Sequence, residues 1–456
     1  MTFDAHAVRA ITYPLHEWLC GRRTLAELRD LRTVATGSVD GLEAEVERRT
    51  GALLRFAQAT MTFHARRFAA AGVDIHAVAA SREIAKLAPL SKVDVRAHAA
   101  EMVWTGVPGG PITHSSGGTT GDTLHFVIDR VRQAQTLAAR LFMQERLGVR
   151  CGDRRAYFWG SPIERRGSRL RRWRDRALNE ILLDAFELSA ESLDRHLARI
   201  ARFRPALLYA YPSAAAALVR RAQRTNSTAA FTSLKAVVLT GEETGSEERA
   251  AITDICACPV VEEYGNREVG LIAHGCLAGS LHVLTPHILL ETLAGARPAR
   301  PGETGEILCT TLNTRAQPFI RYRVGDAGAR LEGECRCGLA LPRMRLDGGK
   351  ITGFLALPDG RLCHGAIVSH ILRDLPGIVH FKTIQRSLEK FDVLLVTDDR
   401  FADESLATIG ERYRRLFGER VHAECHRVAA IPPDPSGKRR YFVSEAAGAG
   451  EVRSFG

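Results

Sequence analysis

The chain has 456 residues, of which 45% are hydrophobic and 25% are charged, a balance typical of a globular protein with a sizeable core. At roughly 100–200 residues per domain, the length allows two to four domains. No apolar run approaches the ~18 residues of a membrane-spanning helix. The N-terminus carries Asp4 and no continuous apolar stretch, unlike a signal peptide, so we expect a cytoplasmic protein without a membrane partner.

The net charge of +11 comes almost entirely from arginine, since the chain contains only seven lysines. The densest basic run is RRGSRLRRWRDR, residues 165–176. We interpret this run as a solvated basic helix or loop beside an anionic substrate site. Nucleic-acid binding is the weaker alternative, because no helix-turn-helix, finger or RNA-binding signature accompanies the charge.

The elements follow in order along the chain. Residues 1–100 show apolar residues at helical spacing, as in GLEAEVERRTGALLRFAQATMTFHARRFAAAG. A stretch rich in Ser, Thr and Gly (113–126) precedes a long predicted helix, DRVRQAQTLAARLFMQERLG. Short β-rich runs then alternate with helical patterns, PALLYAY before PSAAAALVRRAQR and LKAVVLTG before SEERAAITDIC. This alternation predicts βαβ units on a largely parallel sheet.

From residue 281 the pattern changes to strands and turns, and a polar junction, RMRLDGGKITG (343–353), leads into a small α+β pattern. The predicted fold class is therefore α/β. We expect a large N-terminal α/β domain (1–346) with parallel sheets and a β-rich subdomain. A hinge (347–350) would connect it to a small, mobile α+β C-terminal lid domain (351–456).

The Ser/Thr/Gly stretch THSSGGTTGDTLHF has a composition that suits phosphate binding. Glycines let backbone N–H groups converge, and hydroxyls add further donors. The stretch lacks the lysine of the G-x-x-x-x-G-K-[ST] nucleotide loop and does not match G-x-G-x-x-G. By itself it is equally consistent with a linker.

Four segments behind this loop complete a recognisable series, namely VVLTGEET (237–244), VEEYGNREVG (261–270), FIRYRVGDAG (319–328) and PSGKRRYFV (435–443). In this order the five segments resemble motifs of the adenylate-forming (acyl-CoA synthetase-like) superfamily. LNTRAQPFIRYRVGD, ECRCGLALPRMR, LPDGR and APLSKVDVRAH resemble its phenylacetate–CoA ligase-like family, and within it the capsular polysaccharide biosynthesis-type branch. The resemblance covers most of the chain and is weakest in the first 50 residues.

The resemblance implies ATP as cofactor and assigns roles to residues of these motifs. Asp326 would accept both ribose hydroxyls, Tyr264 would lie against adenine, and Glu268 would help to hold Mg²⁺, which prefers carboxylate oxygens. Gly241, Glu242 and Gly265 would complete the nucleotide site. The β- and γ-phosphates would be held by Ser115, Ser116, Gly117, Gly118, Thr119, Thr120 and Gly121.

Lys438 is the strongest single catalytic candidate. It is one of the seven lysines and lies between Gly437 and two arginines in the predicted lid. A lysine placed on the α-phosphate and the attacking carboxylate would neutralise charge that develops in the transition state. The alternative is one more cation of a basic patch.

Three positions depart from the family pattern. The loop ends in Gly121-Asp122 where the family has Gly-Lys, and the hinge segment GGKITG offers Lys350 where the family has an arginine. Arg267 replaces the threonine before Glu268, and its fork of donors could itself reach the α-phosphate. Together these departures leave open an altered or weakened activity.

Ten cysteines without a secretory signal indicate reduced thiols or a metal rather than a disulfide framework. Cys276, His282, Cys335 and Cys337 form a Cys₃His set that suits tetrahedral Zn²⁺, and the resemblance implies a structural metal. Free thiols are the alternative. Cys256 and Cys258 are a rival pair that we interpret as buried residues at a strand entry.

The sequence thus predicts an enzyme, an acid–thiol ligase. It would activate a carboxylic acid as an acyl-adenylate at the expense of ATP and then transfer the acyl group to coenzyme A. The resemblance favours an aromatic acid. The alternatives are an adenylating amide or ester synthetase with another acceptor, and a catalytically weak binding protein of the same fold. The absence of a G-x-S-x-G elbow argues against a serine hydrolase of the α/β-hydrolase type.

Overall fold

The computed structural model describes residues 3–116, 124–159, 169–185, 187–242, 244–295, 297–312, 314–347, 354–359, 362–364, 367–372, 375–431 and 442–446. Its first hundred residues are helical, as predicted. The helices here are α1 (Ala5–Ala7), α2 (Tyr13–Leu19), α3 (Thr24–Ala35), α4 (Val39–Thr60), α5 (Thr62–Ala70), α6 (Ala80–Ala85) and α7 (Lys92–Ala97), with a π turn (Val8–Thr12) and a 3₁₀ turn (Ala99–Met102).

A two-stranded hairpin frames the Ser/Thr/Gly loop. It consists of β1 (Ile112–Ser115) and β2 (His125–Ile128), which pair antiparallel with Ser115 opposite His125. The hairpin leads into α8 (Arg130–Arg146), which begins where the Asp129 side chain accepts from the backbone N–H of Arg132. Residues 117–123 lie outside the described part of the chain.

The next segment alternates strands and helices. The strands are β3 (Arg155–Phe158), β4 (Glu180–Leu183), β5 (Leu207–Ala210), β6 (Ala236–Thr240) and β7 (Val260–Asn266). The helices are α9 (Arg169–Ala177), α10 (Ala190–Phe203), α11 (Pro212–Arg224) and α12 (Ser246–Cys256), with a 3₁₀ turn (Thr228–Phe231). The five strands pair in parallel in the order β4-β3-β5-β6-β7, as the βαβ pattern predicted.

The strand-rich region continues the same sheet with antiparallel pairs. Its strands are β8 (Gly270–Gly275), β9 (Leu281–Val283), β10 (Ile288–Ala294), β11 (Arg297–Pro298), β12 (Gly305–Thr311), β13 (Tyr322–Leu331) and β14 (Arg343–Leu346). They extend the sheet beyond β7 in the order β8-β9-β14-β13-β12-β10-β11. The expected β-rich part therefore shares one twelve-stranded sheet with the parallel part.

The two faces of the parallel strands are buried against different helices. Residues of alternate positions, such as Phe158 and Leu239, join a large apolar cluster with α10 and α11. The opposite face carries Tyr209 and Val238, which belong to a smaller cluster at the end of α8. Because successive side chains of a strand point to opposite faces, Tyr157 and Tyr209 lie on the face that α8 covers.

The elements beyond residue 347 are β15 (Phe354–Ala356), β16 (Leu362–His364), α13 (Ile367–Leu372), β17 (Ile378–Gln385), β18 (Lys390–Thr397), α14 (Glu404–Phe417), β19 (His422–Arg427) and β20 (Phe442–Ser444). Four of these strands form a separate sheet, in the order β19-β18-β17-β20. The mixed α/β architecture with a separate C-terminal sheet confirms the predicted fold class. Across the described ranges, no helix is both long enough and apolar enough to cross a membrane.

Candidate active site

Tyr264 and Asp326, the predicted adenine and ribose residues, lie in direct contact. The Tyr264 hydroxyl donates to Oδ2 of Asp326 at 3.0 Å, although 62 residues separate them in sequence. Tyr264 is 8% exposed. Burial and the neighbouring Asp326 carboxylate raise its pKa well above the ordinary value, so the phenol stays protonated and acts as a donor to the carboxylate.

Arg267 and Glu268 occupy the turn between β7 and β8. The turn is tight because Asn266 Oδ1 accepts from the backbone N–H of Val269 at 2.8 Å. A side chain at Gly265 would bring its Cβ within 2.5 Å of the carbonyl oxygen of Gly270. Glycine at this position therefore lets the two strands approach closely and fixes where the turn projects.

The turn lies beside the base of the Ser/Thr/Gly loop. Nη1 of Arg267 donates to the carbonyl of Ser115 at 3.4 Å. Ser116 is buried, and its backbone N–H donates to Leu124 while its hydroxyl accepts from Leu124 N–H, both at 2.8 Å. The two ends of the loop are thus joined next to Arg267, while Gly117, Gly118, Thr119, Thr120, Gly121 and Asp122 lie outside the described residues.

Glu268 is 5% exposed and lies between cationic side chains. Nζ of Lys92, at the start of α7, is 3.6 Å from Oε1 of Glu268. Arg132 of α8 is also buried, and its guanidinium donates to the carbonyl of Arg267. Burial lowers the pKa of Arg132 to about 10 although Glu268 and Asp129 favour its charged form, so Arg132 remains a cation at neutral pH.

Gly241 and Glu242 follow β6 on the opposite side of the site. The backbone N–H and the hydroxyl of Ser213 donate to Oε2 of Glu242 at 3.2 and 2.7 Å. Gly241 has φ +84°, and a Cβ there would lie 2.9 Å from the Tyr211 ring. Tyr211 itself stacks on Trp159 with ring centroids 4.0 Å apart. The backbone of this segment can take its position only because residue 241 has no side chain.

The four residues of the Cys₃His set come together although 61 positions separate Cys276 from Cys337. Their ligand atoms all lie within 4.8 Å of one another. Sγ of Cys276 and Sγ of Cys335 are 3.7 Å apart, and two thiolates on a tetrahedral zinc with bonds of about 2.3 Å would be about 3.8 Å apart. The donor set and its spacing therefore fit Zn²⁺.

His282 is oriented for such a role. Its Nδ1 is 2.9 Å from the carbonyl of Leu341, and Nε2 lies 3.2 Å from Sγ of Cys337. A carbonyl accepts only from a protonated nitrogen, so this contact leaves Nε2 as the free ligand atom. Cys256 and Cys258, the rival pair, behave as unreactive thiols. Burial raises the pKa of Cys256 to about 12 and that of Cys258 to about 11.

Comparisons with known proteins agree with these observations. The family of CapK C-terminal domains matches residues 355–445. Protein CapK of Staphylococcus aureus is 21% identical over 368 residues, which are 79% of this chain and 80% of that protein. Phenylacetate-coenzyme A ligase of Thermus thermophilus is 23% identical over 422 residues, or 86% of this chain and 93% of that protein.

The crystal structure of 2-hydroxyisobutyryl-CoA ligase, in complex with an acyl-AMP in the postadenylation state, superimposes with a TM-score of 0.58 at 17% identity, and the match covers 90% of this chain and 91% of that one. The fold is the same. These similarities agree with the predicted resemblance to the phenylacetate–CoA ligase-like family and its CapK branch.

The structure brings together only part of the predicted site. Tyr264 meets Asp326, and Arg267 meets Ser115, whereas Lys438 and Lys350 lie outside the described residues. Of the predicted hinge, Asp347 is described, and it accepts from the Thr304 hydroxyl at 2.6 Å.

Several charged residues at the site have no counterpart among the sequence predictions. Lys92 and Arg132 flank Glu268, and Arg140 pairs with Glu263 next to Tyr264. Lys92 stands within APLSKVDVRAH, a segment of the family resemblance, so a signal for it was present. The two arginines carried no signal, because their sequence shows only a basic amphipathic helix.

Proposed function

We propose that this chain is an ATP-dependent, AMP-forming ligase that activates a small carboxylic acid. An oxygen of the acid attacks the α-phosphorus of ATP, the bond from that phosphorus to the β-phosphate oxygen breaks, and pyrophosphate leaves. The observation that carries the proposal is the convergence of Tyr264 with Asp326 and of Arg267 with Ser115, from three separate segments. The similarity to phenylacetate-coenzyme A ligase supports the same activity.

In this proposal the nucleoside binds between β7 and β13. The Asp326 carboxylate accepts the two ribose hydroxyls through its two oxygens, and the hydrogen bond from Tyr264 holds that carboxylate in one orientation. The exposed edge of the Tyr264 ring then borders adenine. Gly241 and Glu242 close the other side of the nucleotide, with Glu242 held in place by Ser213.

The phosphates bind at the loop that starts at Ser115 and Ser116, with the loop residues predicted from sequence supplying further donors. The attacking carboxylate and the α-phosphate are both anionic, so the site must offset charge as the phosphorus becomes five-coordinate. Arg267, anchored to the loop base, and Lys438 supply that charge. Arg132 holds the Arg267 carbonyl and acts as a positioning residue for the turn.

Mg²⁺ fits the same turn, because Glu268 offers a nearly buried carboxylate of the kind that this hard cation prefers. When bound, Mg²⁺ would neutralise phosphate charge. The contact between Glu268 and Lys92 at 3.6 Å orients the carboxylate before the nucleotide arrives.

We propose coenzyme A as the acceptor in the second step. The thiol sulfur attacks the acyl carbon of the adenylate, the mixed anhydride bond breaks, and AMP leaves with the thiol proton passing to solvent. Both phenylacetate-coenzyme A ligase and 2-hydroxyisobutyryl-CoA ligase carry this acceptor in their names. The C-terminal sheet region, residues 351–456, would act as the lid that turns about residues 347–350 between the two steps.

The Cys₃His cluster would hold a structural Zn²⁺. It would tie the end of β8 and β9 to the turn before β14. All four positions come from protein side chains, which is typical of closed, structural zinc sites rather than catalytic ones.

Pyrophosphate release tests the first step. A panel of aryl and alkyl acids is incubated with ATP and Mg²⁺, with and without coenzyme A. We expect release with at least one acid, and stimulation by coenzyme A. Lys438→Ala should lower the rate by roughly 10²–10³-fold, as for loss of one transition-state donor, whereas Lys390→Ala, an exposed lysine of β18, should not.

Three outcomes decide the proposal. Release that does not respond to coenzyme A, together with an acyl-amide or ester product, would retain adenylation and replace the acceptor. No release with any acid would leave a binding protein of the same fold. Equal rates for Lys438→Ala and the native chain would refute the assigned role of Lys438.

A further inference from the structure

A cavity of about 250 Å³ lies on the sheet face that α8 and α9 cover. Its floor is formed by β3, β4 and β5, and its walls by the two helices. The residues that give it its chemical character are Arg140, Tyr157, Arg171, Arg174, Glu180 and Tyr209. Arg171 and Arg174 belong to the basic run 165–176, which we expected beside an anionic substrate site. The rest of the lining comes from four other elements, and no motif connected them to this run.

The cavity borders the proposed nucleotide site through two stacked rings. Trp159 lines the cavity and stacks on Tyr211 with centroids 4.0 Å apart. Both rings also approach Gly241, whose Cβ, if present, would be 2.9 Å from Tyr211 and 3.3 Å from Trp159. One wall of the cavity is thus adjacent to the Gly241–Glu242 segment, where an acid could reach the α-phosphate with its carboxylate and extend its far end inward.

The lining of this cavity combines charged side chains with aromatic and aliphatic ones. Arg140 points its guanidinium into it from α8 and is held by Glu263 through contacts of 2.8 and 3.0 Å. Arg171 and Arg174 enter from α9. On the floor, the Tyr157 hydroxyl is 3.4 Å from Glu180.

The charges in and directly behind the lining favour an anion. Among the described residues, Arg140, Arg155, Arg171 and Arg174 contribute four positive charges, against three carboxylates from Asp175, Glu180 and Glu263. Burial raises the pKa of Glu180 above its ordinary value. A phenyl group here would remove guanidinium and phenol groups from water without replacing their hydrogen bonds, a costly arrangement.

We infer that this cavity receives the far end of the acid substrate and selects an acid that carries a second anionic group there. Guanidinium groups bind carboxylates through charge-assisted, often bidentate hydrogen bonds. The inference rests on the proposed function for the identity of the ligand as a carboxylic acid. It assigns Arg171 and Arg174 as specificity-determining residues, with Arg140 as a third lining cation fixed by Glu263.

Titration calorimetry with a matched set of probes tests the preference without turnover. The probes are 4-carboxyphenylacetate, phenylacetate and 4-hydroxyphenylacetate, each titrated into the full chain alone and with a non-hydrolysable ATP analogue. We expect the dianion to bind at least about tenfold more tightly than either other probe, as for one charge-assisted contact. Arg171→Gln should reduce this ratio to about threefold or less.

Two further variants make the result specific. Arg174→Gln replaces a second lining residue and should also reduce the ratio, so that the test stands if Arg171→Gln folds poorly. Arg172→Gln removes the same charge from an exposed position of α9 that does not line the cavity. It should leave the ratio unchanged.

The two proposals fail in different ways. Equal affinity for the dianion and for phenylacetate or 4-hydroxyphenylacetate, binding of no probe, or an unchanged ratio in both lining variants would overturn the cavity inference. Such results would leave pyrophosphate release with other acids intact. Conversely, selective dianion binding without pyrophosphate release from any acid would retain the cavity inference and refute adenylation.

Discussion

The buried ion pair between Glu263 and Arg140 provides a stringent test of how the site is held. Nη2 of Arg140 lies 2.8 Å from Oε1 of Glu263 and Nε lies 3.0 Å from Oε2. The Tyr209 hydroxyl donates to the same carboxylate at 2.6 Å. Glu263→Gln keeps the shape of the side chain, removes its charge, and places an amide donor against two groups that are themselves donors.

The expected cost follows from burial. Removing one partner of a fully buried pair costs about 3–5 kcal/mol, because the other charge remains without a counter-ion. The Glu263 side chain is 3% exposed but that of Arg140 is 35% exposed, since it opens onto the cavity, and water there compensates part of the loss. We therefore expect Glu263→Gln to lower the free energy of unfolding by about 2–3 kcal/mol.

Chemical denaturation followed by tryptophan fluorescence is a suitable assay, because all four tryptophans precede residue 346 and report on the large sheet region. A double-mutant cycle with Arg140→Gln isolates the pair. We expect a coupling energy of about 1–3 kcal/mol. Glu303→Gln, which breaks an exposed pair with Arg297, serves as the control and should not shift the midpoint.

The stabilisation should also depend on pH with a defined sign. Burial acts to raise the pKa of Glu263, but attraction and hydrogen bonds from Arg140 outweigh it and the pKa is lowered. Because the folded-state pKa is depressed, the stabilisation is complete above the unfolded value of about 4.3 and declines as pH falls below it. A coupling energy below about 0.5 kcal/mol at pH 7, or one that grows on acidification, would refute the reasoning.

Three further changes test other parts of the structure. Asp326→Asn should raise KM for ATP in the pyrophosphate assay at least about tenfold by weakening the ribose contact; a change only in KM for the acid would contradict the assignment. The native chain should carry about one zinc ion by mass-spectrometric metal analysis. Cys335→Ser should lose this zinc, and Cys256→Ser, the control, should keep it. Zinc retained in Cys335→Ser would disprove the site. Gly241→Ala should lower the free energy of unfolding by about 1–3 kcal/mol. The loss should exceed that of Gly279→Ala, because Gly279 also has a positive φ but a Cβ there would meet no atom within 4 Å. Equal losses would show that the contact with the Tyr211 ring does not contribute to the cost.

Local pattern was sufficient for the elements and for the family resemblance. The helix predicted over SEERAAITDIC is α12 (Ser246–Cys256), and the βα alternation around it gives the parallel order β5-β6-β7. These outcomes depend on periodicity and on turn residues, which are properties of neighbours in sequence. The five motif segments likewise carried the family assignment, because each is contiguous.

The tertiary structure alone decided which charges meet. Glu263 and Arg140 are 123 positions apart, and their contact depends on α8 crossing the face of β7. The cavity beside them likewise takes residues from α8, α9, β3, β4 and β5. Among the cysteines, sequence left a Cys₃His set beside a rival pair, and the pairing of β9 with β14 brings that set together. Contacts of this kind arise from strand register and helix packing, which relate residues by distance in space and leave no periodic trace in the chain.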